Sequence, residues 1–277
     1  MDPRKKSSHP DMHTVLNGVT GHPLGHTLSP GLHARIYEML GINAVMLAFP
    51  HEDIGAVIAS MRALPIHLLA VTLPHKQEVM KHLDHIDPVA REIGAVNTVV
   101  NRGGKLYGHN TDIIGIAEAL KDVPVKNKNV LVLGAGGAAR PLCWFFKKNN
   151  AHIFCLNRTR TKAEELMKVF GGTALDNEAL AETRIDVIMN ATPVGMEPHP
   201  DESPFNAHLL NSGQTVFDLI YNPSETRLLK DAKKAGAKTV NGMPMLVAQA
   251  LEQVRLWSGK ELTESQKHLL LKTMETA

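Results

Sequence analysis

The sequence predicts an α/β protein of two domains with a deep cleft between them, and three observations carry that prediction. From Thr14 onward, short apolar runs bounded by Gly, Pro or polar clusters alternate with segments of helical period. A glycine-rich turn, Gly134 to Ala138, lies directly between one such run and one such segment. Just ahead of it, over "ALKDVPVKNKN" (Ala119 to Asn129), apolar periodicity gives way to Pro, Lys and Asn, as at a domain boundary. A chain of 277 residues is long enough for two ordinary domains.

Taken in order, the chain begins with "MDPRKKSSHPDM", polar and basic and not followed by the apolar stretch of a signal peptide. Residues 1–13 are therefore expected to be a flexible tail. A short strand ends near Val19, and a helix starts near Pro30. "HLLAVTL", ending near Leu73, is the next clear strand; "NVLVLG", "HIFCL", "DVIMNAT" and "QTVFDLI" follow. Between "NVLVL" and "HIFCL", Ala138 to Asn149 reads as a helix and completes a βαβ unit. In "TRTKAEELMKVF", Ala163, Leu166, Met167 and Phe170 recur at helical spacing, so this half is expected to be doubly wound. The closing helix, "MLVAQALEQVRLWSG", carries Leu246, Val247, Ala250, Leu251, Val254 and Trp257 on one face.

Composition narrows the function. Hydrophobic residues make up 43% and charged residues 21%, an ordinary globular balance. A net charge of +2 without a Lys/Arg run gives no footprint for nucleic acid. No apolar run approaches the roughly 18 to 20 residues that span a bilayer, so no membrane role is expected. Two cysteines, Cys143 and Cys155, form neither a disulfide framework nor a CxxC pair, and the cytoplasm is the expected compartment.

"VLVLGAGGAAR" matches GxGxxG/A through Gly134, Gly136 and Ala139, after a strand and at a helix start. Such a turn presents backbone N–H groups and a helix N-terminus to a pyrophosphate, and larger side chains would block the approach. About 20 residues later a dinucleotide unit usually carries an acid for the ribose 2′-hydroxyl. This chain has Asn157, Arg158 and Thr159, followed by Arg160 and Lys162. Arg158 suits a 2′-phosphate, with Asn157 and Thr159 as hydrogen-bond donors, which favours NADP over NAD. The competing reading is a solvated basic helix start.

"GHPLGHTLSPGLH" offers His22, His26 and His33, but no nearby carboxylate or cysteine completes a ligand set, and no metal is expected. Thr27 and Ser29, two apart on a turn, suit a small polyol or carboxylate, or cap the following helix. "AVTLPHK" places Thr72 and Lys76 just past a strand end, where ligand crevices form in open sheets, and Lys76 is a candidate proton shuttle. "IGAVNTVV" and "GHNTDIIG" add Asn97, Asn110, Thr111 and Asp112. Asparagine both donates to and accepts from hydroxyls, and Asp112 is suited to orient a reacting hydroxyl and pair with a lysine. Each of these is also ordinary turn chemistry.

In one order, "GHPLGHTLSPGLH", "VTLPHK", "GAVNTV", "GHNTD", "GAGGAAR", "NRT", "NATPVGM" and "GMPMLVAQA" resemble the shikimate dehydrogenase family, from Val15 to Trp257. The resemblance implies reversible NADPH-dependent reduction of 3-dehydroshikimate in aromatic amino acid biosynthesis, with Lys76 and Asp112 as the catalytic pair. It implies substrate contacts at Thr27, Ser29, Thr72, Asn97 and Gln249, with Tyr221 nearby. It implies NADP contacts at Gly134, Ala135, Gly136, Gly137, Ala138, Asn157, Arg158, Thr159 and Lys162, and at Thr192, Val194, Leu219 and Gly242. Residues 14–115 and 244–277 would form the substrate domain and 116–243 the cofactor domain, with no partner but the small-molecule substrate and at most a second copy of the chain. Thr27 in place of the usual serine, Ala34, His75 and Ile113 depart from the commoner pattern, which leaves selectivity between shikimate and quinate open. The alternatives are a quinate/shikimate dehydrogenase of broader substrate or NAD use, and a non-catalytic NADP sensor.

Overall fold

The structure, a computed structural model, describes residues 10–25 and 27–275. Most of the expected tail and His26 lie outside the described residues. The chain forms two compact units. The first comprises the chain up to Arg91, Ala95–Thr111 and the chain from Ala250; the second comprises Glu92–Gly94 and Asp112–Gln249.

The first unit runs β1 (Val15–Gly21), α1 (Ser29–Leu40), β2 (Ala44–Pro50), α2 (Ile54–Ala63), β3 (Ile66–Val71), β4 (His85–Ile86), α3 (Pro88–Ile93, whose last two residues belong to the second unit), β5 (Thr98–Arg102) and β6 (Lys105–His109). The sheet order is β2-β1-β3-β5-β6-β4. β1 is parallel to β2 and β3, whereas β5 is antiparallel to both β3 and β6, so the sheet is mixed. Of the two antiparallel pairs, β5 with β6 follows from local chemistry: "RGGK" between them supplies two glycines at positive φ, which permits a tight hairpin, whereas β5 against β3 rests on long-range pairing. Asp53 caps α2 by accepting from Gly55 N–H at 2.8 Å and Ala56 N–H at 3.2 Å, and Gly41 ends α1 in the left-handed region. Ile54, Val57, Ile58 and Met61 on one face of α2 pack with Leu69, Val71, Val99 and Leu106 of the sheet. Burying such side chains contributes about 1.5–3 kcal/mol each.

The second unit begins with α4 (Asp112–Ala119), then β7 (Asn129–Leu133), α5 (Ala139–Lys148), β8 (His152–Leu156), α6 (Arg160–Phe170), β9 (Thr173–Ala174), α7 (Asn177–Glu182), β10 (Val187–Asn190), β11 (Thr215–Asp218), α8 (Arg227–Lys234) and β12 (Lys238–Val240). α9 (Met243–Ser258) passes from this unit to the first, to which α10 (Glu264–Glu275) also belongs. All strands of the second sheet are parallel, in the order β12-β11-β10-β7-β8-β9, the 3-2-1-4-5-6 arrangement of a doubly wound dinucleotide fold.

Both faces of that sheet are covered, which explains its unbroken apolar strands. Val130 and Val132 of β7 pack with Leu142, Phe146, Leu166 and Phe170 of α5 and α6. Leu131 and Leu133, one residue out of phase, pack on the opposite side with Leu180, Leu228 and Leu229 of α7 and α8. The division falls at Thr111/Asp112 and Gln249/Ala250, against the expected 115/116 and 243/244. The cause is close packing of α4 on the start of α9: a Cβ at Gly115 would lie 2.6 Å from the Met245 carbonyl oxygen.

Candidate active site

In the first unit, the candidate substrate residues gather at the carboxyl ends of β1 and β3, which are adjacent and parallel. Thr72 N–H donates to Thr20 O at 2.9 Å, and His22 N–H donates to Leu73 O at 2.9 Å, so the loop from His22 is laced to the loop carrying Thr72. Gly21 makes this approach possible, since a Cβ there would lie 2.5 Å from Thr72 Cγ2 and 2.8 Å from Leu73 O. Thr27 Oγ1 accepts from Ser29 N–H at 3.2 Å, a local turn bond. The N-cap of α1 is Leu28, with no side-chain capping bond. Thr27 and Ser29 therefore flank the cap position without serving as the N-cap residue.

Lys76 follows in the turn after β3 and is only 9% exposed. Its carbonyl accepts from Val96 N–H at 2.7 Å, and Asn97 O accepts from Val71 N–H at 2.8 Å, which sets Lys76 beside the segment carrying Asn97. Asn97 is fixed by its neighbours. Its Oδ1 accepts from Thr111 N–H at 2.8 Å and from Thr98 Oγ1 at 2.8 Å, and its Nδ2 donates to Thr111 Oγ1 at 3.0 Å. Gln253 Nε2, from α9, donates to Thr98 Oγ1 at 3.1 Å. Asn110 Nδ2 donates to Ala95 O at 2.9 Å. His33, from the histidine-rich motif, is fully buried, and Ser29 O accepts from its Nδ1 at 2.9 Å; burial lowers its pKa to about 4, so it is a neutral core histidine. Among the described residues no group of His, Cys, Asp and Glu is arranged to hold a metal.

In the second unit, Asp112 opens α4 and is 4% exposed. Gln249, on α9, is buried and donates through Nε2 to Leu246 O at 2.9 Å. Tyr221 is half-buried in the loop after β11.

The glycine turn leaves β7 at the point where the strand order reverses, the place where doubly wound sheets bind ligands. Gly134 has φ +101°, and a Cβ there would lie 2.9 Å from Thr192 Cγ2, so only glycine fits. Ala135, Gly136, Gly137 and Ala138 follow; a Cβ on Gly136 would meet nothing within 4 Å, so the turn lies open. α5 starts with Ala138 as N-cap and no side-chain capping bond; Ala139 N–H donates to Gly136 O at 3.1 Å and Pro141 has no N–H, so Arg140 N–H is the first-turn donor of α5 suited to an anion. Gly134 N–H donates to Leu156 O at 2.8 Å, which seats the end of β8, and with it Asn157 and Arg158, beside the turn.

α6 then starts at Arg160 with Thr159 as N-cap, no side-chain capping bond and no acid in its first turn. Arg160 is occupied: it pairs with Glu164 at 3.0 Å and Asp176 at 2.7 Å. Arg158 and Lys162 are exposed and have no ion-pair partner among the described residues. One Asn157 amide hydrogen goes to Thr159 O at 2.9 Å. The residues present fit a dinucleotide bearing a 2′-phosphate: an open, uncapped glycine turn, then an uncapped helix start flanked by two available cations.

The remaining cofactor candidates lie on neighbouring strand ends. Thr192 and Val194 follow β10, Leu219 follows β11, and Gly242 follows β12. Gly242 packs directly on the β11 loop, since a Cβ there would lie 2.1 Å from Leu219 O. Sequence reasoning missed the groups that hold these loops, the buried Asn190 and Asp218, and also missed Gln253. Their one sequence signal is a polar residue in an otherwise apolar strand or helix face. A cavity of about 420 Å³ lined by Arg184, Asp186, Phe205 and Gln214 lies at the opposite, amino-terminal ends of β10 and β11, and its Asp186 and Gln214 are already hydrogen-bonded within the fold.

The pattern described as the shikimate dehydrogenase substrate binding domain matches residues 19–99. The pattern described as shikimate / quinate 5-dehydrogenase matches residues 116–197. The chain is 44% identical over 256 residues to the shikimate dehydrogenase (NADP(+)) of Thermococcus kodakarensis, covering 90% of this chain and 93% of that one. A crystal structure of shikimate 5-dehydrogenase from Thermus thermophilus in complex with NADP(H) and shikimate has a TM-score of 0.83 and 36% identity, covering 94% of this chain and 99% of that one. Shikimate 5-dehydrogenase from Listeria monocytogenes in complex with shikimate and NAD has a TM-score of 0.83 and 33% identity, covering 96% and 99%. With both family patterns in sequence order and identity of this level along nearly the whole length, the chain belongs to the shikimate dehydrogenase family.

Proposed function

We propose that the chain is an NADP-dependent shikimate dehydrogenase that reversibly reduces 3-dehydroshikimate to shikimate. The observation that carries this reading is its near full-length relationship to enzymes named for that activity and that cofactor. The open glycine turn and the available Arg158 support it independently, from the chemistry of the donor set.

NADPH, when bound, supplies the hydride that reduces the C3 carbonyl carbon. Gly134, Ala135, Gly136, Gly137 and Ala138 would hold its pyrophosphate, and Arg158, with Asn157, Thr159 and Lys162, its 2′-phosphate. Thr192, Val194, Leu219 and Gly242 would flank the path toward the nicotinamide. Thr27, Ser29, Thr72, Asn97 and Gln249, with Tyr221, hold the substrate carboxylate and hydroxyls. Lys76 delivers a proton to the oxygen at C3, and Asp112 orients that oxygen and stabilises the ammonium group; in the reverse direction Lys76 takes the proton back. Residues up to about Thr111 plus the C-terminal segment serve the substrate, and Asp112–Gln249 chiefly the cofactor. The reaction is placed in the cytoplasm, which suits two free, buried cysteines. No helix among the described residues is long and apolar enough to cross a membrane.

A second reading, broader use of quinate or NAD, is favoured by the shikimate / quinate description of the second pattern and by the Listeria enzyme seen with NAD. Initial rates with shikimate and quinate, each with NADP+ and NAD+, separate the two. The proposal expects the highest kcat/KM for shikimate with NADP+; equal values for all four combinations would establish the broader enzyme.

A further inference from the structure

We propose that Asn190 and Asp218 are positioning residues that hold the nicotinamide-side loops in place, a role that rests on the NADP reading above. Both are the last residues of their strands and both are fully buried. The Asn190 amide is used to capacity. Its Nδ2 donates to Asp218 Oδ1 at 2.9 Å and to Val194 O at 3.3 Å, and its Oδ1 accepts from Thr192 N–H at 2.9 Å and Thr192 Oγ1 at 2.7 Å. Asp218 Oδ1 also accepts from Ile220 N–H at 3.1 Å, and its Oδ2 accepts from Thr226 Oγ1 at 2.7 Å. One amide and one carboxylate thus fasten the loop after β10 to the loop after β11. Those loops carry Thr192, Val194, Leu219 and Tyr221.

The sheet itself does not need these groups. β10 and β11 are already paired in register from Val187 with Thr215 to Asn190 with Asp218, and the two side chains spend their bonds beyond the last rung. Burial raises the Asp218 pKa to about 6, so as a carboxylate it opposes folding near neutral pH, and the fold keeps it for the three donors it satisfies. Hydride transfer requires donor and acceptor carbons about 3–3.5 Å apart, and an error of about 1 Å can lower the rate on the order of 100-fold. Loops that flank the nicotinamide must be held to that tolerance, whereas the adenosine end is gripped elsewhere, by the glycine turn and Arg158.

The test compares Asn190→Leu and Asp218→Leu with the conservative Asp218→Asn, which keeps an acceptor for Ile220 N–H and Asn190 Nδ2. Calorimetry measures binding of adenosine 2′,5′-bisphosphate and of NADP+, and kcat is measured with shikimate. Both leucine variants should bind the bisphosphate within about threefold of wild type, lose about tenfold or more in NADP+ affinity, and lose about 100-fold in kcat. Asp218→Asn should recover kcat to within about tenfold. If a leucine variant does not fold, Thr226→Val, which removes one donor to Asp218, should lower kcat about tenfold with bisphosphate binding unchanged. Wild-type kcat in these variants, or bisphosphate affinity falling in parallel with NADP+ affinity, would overturn the proposal. Wild-type protein that binds neither ligand would instead remove the NADP reading on which it rests.

Discussion

Replacing Arg158 with Ala separates cofactor choice from general basicity, because the structure supplies a matched control two residues away. Arg160 spends its guanidinium on Glu164 and Asp176, while Arg158 is exposed without such partners among the described residues. A hydrogen bond to a charged group contributes about 1.5–3 kcal/mol. Loss of one such contact to a 2′-phosphate therefore predicts a KM for NADP+ raised about 10- to 150-fold. NAD+ lacks that phosphate, so its KM should move less than about threefold. Arg160→Ala, whose exposed ion pairs contribute at most about 1 kcal/mol to stability, should leave both KM values within about threefold. Initial rates of NADPH and NADH formation from shikimate are the assay. Equal effects of Arg158→Ala on the two cofactors, or a larger effect from Arg160→Ala, would reduce the stretch to a solvated helix start.

Lys76→Ala should lower kcat by roughly 100- to 10,000-fold with a smaller change in shikimate affinity, as loss of a positioned proton donor requires; unchanged turnover would remove Lys76 from the chemistry. Two buried groups that titrate in the acid range act in opposite directions on stability. His33, lowered from 6.5 to about 4, costs stability as pH falls through that window, because the unfolded chain takes up the proton first. Asp218, raised from 3.8 to about 6, costs stability as pH rises through its window, because the unfolded chain releases the proton first. Each amounts to roughly 3 kcal/mol and they oppose one another between pH 4 and 6. His33→Gln should therefore give urea midpoints that fall as pH rises from about 4 to about 6, and Asp218→Asn midpoints that rise from about 4 to about 6.5; unchanged pH slopes in both variants would refute the assignment.

The second unit was the more legible from sequence because its order is written in two local signals, unbroken apolar strands and a glycine turn at a helix start. Gly134 shows why: its φ is positive and a Cβ there would lie 2.9 Å from the Thr192 methyl carbon, which leaves no other residue possible, so the constraint surfaces as a motif. In the first unit the mixed sheet was not legible, since the antiparallel turn of β5 against β3 depends on long-range pairing of Leu68 with Val100 and leaves no periodicity of its own. Single-residue candidates such as Lys76 and Asn97 were visible only as strand-end polar residues. Their burial, and the bonds from Thr98 and Thr111 that fix Asn97, belong to packing. Asn190 and Asp218 were missed because each ends its apolar strand, where a polar residue reads as the start of a turn, and only the count of its donors and acceptors shows otherwise.

In the proposed reaction, hydride passes between NADP(H) and C3 of the shikimate ring. The most direct measurement incubates the protein with 3-dehydroshikimate and NADPH deuterated at both C4 positions, and follows the product by mass spectrometry and proton NMR. Shikimate carrying a single deuterium at C3 is the expected product, formed at a rate that Lys76→Ala depresses by at least about 100-fold. Intact NADPH and unconverted substrate, or deuterium anywhere other than C3, would contradict that reaction.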